Sequence, residues 1–314
     1  MPRFSIIIPN WNGARWLTPC LESLRSQTTA DFEVIVVDNA SRDESLALLA
    51  ERYPEVRVVA LDRNLGFTGA CNAGFRVAQG EYQALLNNDT EVDPHWVAEV
   101  MAAFERHPKA GMIASRMLLF DRRDTFHTAG DIFKVDGTPG NRGVWQKDTG
   151  QFPEGDVFSA NGGSAAYRRA MLDEIGLLDD DFFFSCEDID LAWRAQLAGW
   201  RAVYAPRAVV YHHLSASGGG VTASFHDGRN FIYLLAKDVP DVIWRRHGLR
   251  ILGGQLRITW DALKAWRGAA ARARLRGQLA GLIGLPKMLA KRRATQASRK
   301  ITEAAVLDLL SPTA

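Results

Sequence analysis

Cysteine is scarce in this 314-residue chain: Cys20, Cys71 and Cys186 are odd in number, far apart and in no metal-like spacing. That excludes a disulfide framework and suggests a reducing compartment. Long apolar runs are also missing, since no eighteen consecutive residues are apolar, and no membrane-spanning helix is expected. The apolar stretch in MPRFSIIIPNWNG is too short for a signal peptide and ends in Pro9-Asn10, so it reads as a first strand. Acidic residues nearly vanish from the end of the chain. Residues 242–314 hold 3 Asp and Glu against 15 Lys and Arg (net +12), while residues 1–241 hold 33 against 23 (net −10). The formal charge of +2 therefore conceals two surfaces of opposite sign. At 47% hydrophobic residues, the chain can bury a large core as one large domain or two smaller ones.

Strand and helix patterns alternate through the first hundred residues. FSIIIP, FEVIVVD, VRVVAL and EYQALL read as strands. ARWLTPCLESLRSQ, RDESLALLAERY with Ser41 as N-cap, and GFTGACNAGFRVAQ read as the helices between them. WVAEVMAAFERH follows with Pro94 at the first helical position. Such repetition predicts an α/β fold with a doubly wound, mostly parallel sheet flanked by helices. From about residue 111 to 160 the pattern loosens, and hairpins or long loops are expected. Order returns with the helices RRAMLDEIG and EDIDLAWRAQLAG and two strands, WRAVYA and AVVYHH.

Polar residues collect at element ends. LLNNDT closes a core strand with Asn87, Asn88 and Asp89; Asp38 closes FEVIVVD; His212-His213 closes AVVY; Glu187-Asp188 opens a helix after Phe182-Phe183-Phe184. In open α/β sheets the carboxyl ends of strands form the rim where ligands bind.

These stretches carry a resemblance. IIIPNWNG, VVVDNAS, RNLGFTGACNAG, LLNNDT, FFFSCEDIDLAWR and VVYHH occur here in the order seen in family 2 glycosyltransferases of GT-A fold, over roughly residues 4–235, and are most similar to the rhamnosyltransferase-like branch. The resemblance implies a catalytic domain over 1–235 and a helical extension over 236–314. It also implies a nucleotide-sugar donor, dTDP-rhamnose or a UDP-hexose, and an acceptor that is a glycan or a polyprenyl-linked sugar of cell-surface polysaccharide synthesis.

The departing diphosphate develops charge that a divalent metal, Mg or Mn, neutralises as a Lewis acid. Asp89 is the hard oxygen ligand, and His212, with His213 as its alternate, matches the position that supplies an imidazole. The family's Asp-x-Asp is here Asn87-x-Asp89, one carboxylate fewer, and Asn87 is expected on the ribose or a water instead. The resemblance assigns the general base that takes the acceptor's proton to Asp188, with Glu187 beside it. Its place near a helix N-terminus favours the ionised form. A single displacement that inverts the anomeric centre follows. Asp38 is expected to accept the ring N–H of uracil or thymine. Pro9, Asn10, Asn64, Gly69, Asn72 and Asn88 are expected on the donor, and Gly162, Gly163 and Phe184 on the acceptor side. The small residues of LSASGGGVTASFHDGRN suggest a mobile loop over the donor, with Arg229 reaching a phosphate. Asp190 and Arg194 read as a structural i, i+4 pair.

The tail alternates apolar stretches with Lys and Arg at helical spacing around Trp260 and Trp266. It suits either an anionic membrane face or packing on the catalytic domain with a solvated basic face. No recognition motif accompanies its charge, so no nucleic-acid partner is expected. A cytoplasmic enzyme, peripheral on the inner membrane face, is the resulting expectation. A nucleotidyltransferase is the alternative, but only Arg15 lies near IIIPNWNG, where a basic triphosphate loop would be needed. A non-catalytic sugar-nucleotide-binding relative is opposed by the intact Glu187-Asp188.

Overall fold

The computed structural model describes residues 2–213 and 220–312. Its first part alternates as the sequence predicts: β1 (Phe4–Asn10), α1 (Ala14–Arg25), β2 (Phe32–Asp38), α2 (Ser45–Arg52), β3 (Arg57–Ala60), α3 (Gly66–Val77) and β4 (Tyr82–Leu85). Then come β5 (Thr90–Val92), α4 (Trp96–Arg106), β6 (Ala110–Leu119), β7 (Arg122–Thr128), β8 (Asp131–Lys134), β9 (Pro139–Asn141), β10 (Gly155–Val157) and β11 (Ala165–Arg168). The remainder is α5 (Arg169–Ile175), α6 (Glu187–Leu197), β12 (Arg201–His212), α7 (Val221–Lys237), α8 (Asp241–Lys264), α9 (Ala269–Ala297), α10 (Glu303–Asp308) and β13 (Leu310–Ser311).

The main sheet runs β10-β12-β6-β11-β4-β1-β2-β3. β4, β1, β2 and β3 are parallel, as are β6 and β12, and antiparallel β11 joins the two blocks. The period-2 alternation of β1 explains how helices cover both faces. Ile6 and Ile8 pack with Leu17, Leu21 and Trp96 on one side, and Ile7 packs with Ala70, Cys71 and Phe75 on the other. All of these side chains are buried, and each Ile, Leu or Phe among them stabilises the fold by roughly 1.5–3 kcal/mol. Strand order reverses at β1, with β4 on one side and β2 on the other, so their carboxyl ends open a crevice.

Several expectations need correction. The region from about residue 111 to 160 holds hairpins as expected, β6–β7 and β8–β9, but β6 is also a ten-residue strand of the main sheet, between β12 and β11. WRAVYA and AVVYHH form one strand, β12, whose register against β6 shifts between Ala205 and Val209, around Pro206. That is where a residue lacking an N–H is tolerated. Ser41 does not cap α2, which begins at Ser45. Its hydroxyl instead accepts the Asn12 N–H at 2.9 Å. In the expected mobile loop, residues 214–219 lie outside the described residues, and Val221–Asn230 is the first half of α7.

The basic tail packs on the rest of the chain. α9 lies along α7 at backbone contact distance: a Cβ on Gly228 would strike the Arg274 carbonyl, and one on Gly277 the Phe225 carbonyl. β13 adds in parallel to β8, so the end of the chain closes a second, three-stranded sheet with β9. The boundary drawn after residue 235 falls in the last turn of α7. No helix among the described residues is long and apolar enough to cross a membrane.

Candidate active site

A cavity of about 930 Å³ opens at the carboxyl ends of β1 and β4. It is lined by Pro9, Asn10, Asn64, Asn87, Asn88, Asp89, Gly162, Gly163, Phe184, Glu187, Asp188 and His212 among the residues expected at the site.

Asn10 and Asn88 build its floor. Asn88 Nδ2 donates to Asn10 Oδ1 at 2.8 Å, and Asn10 Nδ2 donates to Asp38 Oδ1 at 3.1 Å. Asp38 is buried behind Asn10 and does not line the cavity; its second oxygen accepts the Ser41 N–H at 3.0 Å. Three further expected residues also point elsewhere. Gly69 is buried inside α3. Asn72 clamps the Leu178 backbone, donating to its carbonyl and accepting its N–H. Arg229 donates to the Asp181 and Phe182 carbonyls rather than facing a phosphate.

LLNNDT turns at the rim because Asn87 leaves the sheet. Its N–H donates to the Gly163 carbonyl at 3.0 Å, and its own carbonyl accepts the Thr90 hydroxyl at 2.6 Å. Asp89 follows, 2% exposed, with Oδ1 3.3 Å from His212 Nε2. β12 settles which histidine this is. His212 faces the cavity, while His213 turns to the other side, against Phe120 and Trp16, with Nε2 3.4 Å from Glu91. His127, not anticipated from sequence, stacks on His212 at 4.7 Å, and burial together with its neighbour lowers its pKa to about 4. No group of three His, Cys, Asp or Glu poised to hold a metal occurs among the described residues. A buried carboxylate beside a cavity-facing imidazole nevertheless fits part of a divalent ion's shell, which for Mg or Mn is ordinarily completed by substrate phosphates and water.

The acid pair is reached through a strained turn. Phe183, Ser185 and Cys186 all have positive φ (59°, 68° and 68°), unfavourable for side chains of this size. Asn230 holds the turn: its Nδ2 lies 3.0, 2.9 and 2.6 Å from the carbonyls of Phe182, Phe184 and Ser185. From it α6 starts with Glu187 and Asp188. Asp188 Oδ2 accepts the Gly162 N–H at 2.8 Å, and Oδ1 accepts the Ile189 N–H at 2.8 Å. Gly162-Gly163 thus ties the base candidate to the metal-side segment, since Gly162 holds Asp188 and Gly163 holds Asn87.

A third acid, Asp131 at the start of β8, was not foreseen. It is 3% exposed, lines the cavity, and accepts from Thr128 Oγ1 at 3.1 Å and Asn161 Nδ2 at 3.3 Å. Burial holds Asp131 and Glu187 well above the usual carboxylate range, and the charge of Asp188 pushes both further. Burial also raises Asp188, against the expectation of a favoured anion, and outweighs the two backbone N–H groups that oppose it. Of the three, Asp188 alone has a backbone donor on each oxygen, whereas Glu187 Oε2 is buried without a hydrogen bond. Protonation is therefore favoured at Asp131 and Glu187 over Asp188.

The profile described as "Glycosyl transferase family 2" matches residues 5–176. The chain belongs to glycosyl transferase family 2. It is 27% identical over 243 residues to an N-acetylglucosaminyl-diphospho-decaprenol L-rhamnosyltransferase of Mycobacterium tuberculosis, covering 68% of this chain and 78% of that one. An uncharacterised protein of Sinorhizobium fredii is 29% identical over 231 residues, covering 69% of this chain, which spans only 25% of that protein's length. Among solved structures, S. aureus TarS 1-349 aligns with TM-score 0.59 at 19% identity, over 94% of this chain and 88% of its own. GalNAc-T7, crystallised with UDP, GalNAc and Mn2+, aligns with TM-score 0.62 at 17% identity, over 76% of this chain and 48% of its own. The fold of this family member is GT-A, a mostly parallel central sheet flanked by helices, with a C-terminal helical part.

Proposed function

We propose that residues 1–235 catalyse an inverting, metal-dependent transfer of a sugar from a nucleotide diphosphate, dTDP-rhamnose or a UDP-hexose, to a glycan or lipid-linked acceptor in polysaccharide synthesis. In this reading residues 236–314 are an extension that keeps the enzyme peripheral on a membrane. The observation that carries the proposal is the convergence of Asp89, His212, Glu187 and Asp188 on one cavity, with Gly162-Gly163 bonded to both groups. The named activity of the mycobacterial relative supports the donor and the lipid-linked acceptor.

Asp89 and His212 are the residues that would hold Mg or Mn, which when bound supplies Lewis-acid stabilisation of the leaving diphosphate. Asn10, Asn64 and Asn88 present amides to the nucleotide. Asp188, with a backbone N–H on each carboxylate oxygen, accepts the proton of the attacking hydroxyl. Glu187, retaining its own proton, keeps a second negative charge away from that base. Because no carboxylate needs to attack the sugar, one displacement suffices and the configuration inverts. Asp38, behind the floor, orients Asn10 rather than touching the base directly.

The test is nucleoside diphosphate release from a panel of dTDP- and UDP-sugars with Mn and a polyprenyl diphosphate acceptor. Acceptor-dependent release with at least one donor, and a product of inverted anomeric configuration, are expected. Nucleotide binding without transfer or hydrolysis of any donor would favour the non-catalytic relative.

A further inference from the structure

One face of α8 carries large apolar side chains that none of the described residues covers. Leu249, Leu252, Leu256, Trp260 and Leu263 recur every three or four residues, so they line one side of the helix, and they are 87, 54, 70, 61 and 47% exposed. The buried positions Ile251, Gly254 and Ala262 lie on the opposite side, against the rest of the chain. α9, which returns antiparallel to α8 and is bonded to it through Gln278 Nε2 and Thr259 Oγ1 at 2.9 Å, shows a second stripe of Leu279, Leu282, Ile283 and Leu289. A folded protein seldom leaves this much contiguous apolar surface in water without a use for it.

The flanks of the α8 stripe name the partner. Arg246, Arg250, Arg257 and Lys264 are spaced by fours and sevens, so they form a basic row one step around the helix from the leucines. Between Arg250 and Arg257, at the bare backbone of Gly253 and Gly254, lies a recess of about 760 Å³. Arg257 also donates to Asp136 Oδ2 there, at 3.0 Å. Residues 242–314 carry a net charge of +12. A second copy of this chain would bring the same positive charge to the same face and be repelled.

We infer that the α8–α9 hairpin lies flat on an anionic phospholipid bilayer, its leucine and tryptophan stripes in the acyl boundary and the arginine row at the phosphates. This deepens the reading of 236–314 as a membrane-associating extension. It does not depend on the identity of the donor or acceptor.

The experiment uses the full chain without nucleotide sugar, so that a negative result here is separate from failure of the glycosyltransferase reading. The chain is sedimented with phosphatidylcholine vesicles with or without phosphatidylglycerol. It should pellet with the anionic vesicles, less so as salt rises, and the Trp fluorescence should shift to the blue. Leu252→Glu/Leu256→Glu/Trp260→Glu, at exposed positions, should weaken vesicle binding about tenfold or more, while transfer to a soluble acceptor stays at parental level. Arg246→Glu/Arg250→Glu should remove the preference for phosphatidylglycerol and serves alone if the triple variant does not fold. Val58→Glu, on the edge strand β3, should bind as the parent does. The inference is overturned if the parent stays in the supernatant with anionic vesicles, or if the triple variant binds them equally. A parent that is dimeric in ultracentrifugation, with a monomeric triple variant, would likewise overturn it.

Discussion

Glu187-Asp188 and Asp190 stand within one turn of α6, yet the protein treats them in opposite ways. Asp190 is fully buried but bonded to Lys237 and, at 3.0 Å, to Arg194 Nε, and these cations hold its carboxyl below the usual range despite the burial. Lys237 also meets Asp179 at 2.6 Å, and Lys287 and Lys291 from α9 meet Asp181. In the same turn, Glu187 and Asp188 face the cavity beside Asp131 with no cation among their hydrogen-bond partners in the described residues, and all three are raised. The cavity-facing carboxylates thus differ from Asp179, Asp181 and Asp190, which are each paired with a lysine. Part of the basic tail thus braces this turn, since α9 supplies the lysines that meet Asp181 ahead of the acid pair.

The comparison can be broken from either side. Lys237→Met would leave Asp190 buried with Arg194 but without its lysine. A loss of about 3–5 kcal/mol in chemical unfolding is expected, and unchanged stability would show that the lysine is not what distinguishes the two ends. Asn230→Ala removes the amide that holds the strained turn. It should cost roughly 1–3 kcal/mol and lower kcat more than it raises KM for the donor, because the acid pair loses its position while the asparagine floor is untouched.

Smaller effects sharpen the contrast through pH. Asp179 and Asp190 have lowered pKa values, so the stability they add is present above their unfolded values and is lost as pH falls through the folded ones. Glu187 has the opposite sign. Its contribution is full below the ordinary Glu value of 4.5 and is lost as pH rises toward its raised folded value. Glu187→Gln should therefore flatten the decline of stability above that pH, a slope bounded by about 1.4 kcal/mol per pH unit. Thermal melts of parent and variant across neutral pH check this. Parallel curves would mean that Glu187 is not protonated in the folded state.

Much of this was legible in the sequence, and the failures have physical reasons. The parallel half was readable because β1, β2 and β4 pair apolar runs with amphipathic helices, and Asp89, Asp188 and His212 because motif order places them on one rim. β6 escaped because AGMIASRMLL is buried in the sheet on both faces while carrying Gly, Ser and Arg, which blur alternation. β12 was split because Pro206 interrupts its apolar pattern. Asp38 ends β2, while Asn72 and Arg229 lie within α3 and α7; the bonds of all three go inward, to Asn10, Leu178 and Asp181, and spacing does not show where a polar side chain is bonded. Asp131 lies outside every recognised stretch, and Asn230 ends LSASGGGVTASFHDGRN without having been singled out. Only the tertiary fold brings Asp131 to the cavity and Asn230 under the turn.

The most direct measurement compares three proteins in calorimetric binding of a nucleoside diphosphate with Mn, alongside turnover of the full donor. Asp89→Asn should lose nucleotide binding and turnover together. Asp188→Asn should bind like the parent while kcat falls by roughly 10²–10⁴-fold, the range for removing a general base. Parental turnover by Asp188→Asn, or parental Mn-dependent binding by Asp89→Asn, would contradict the assignment of these two carboxylates to one cavity and one reaction.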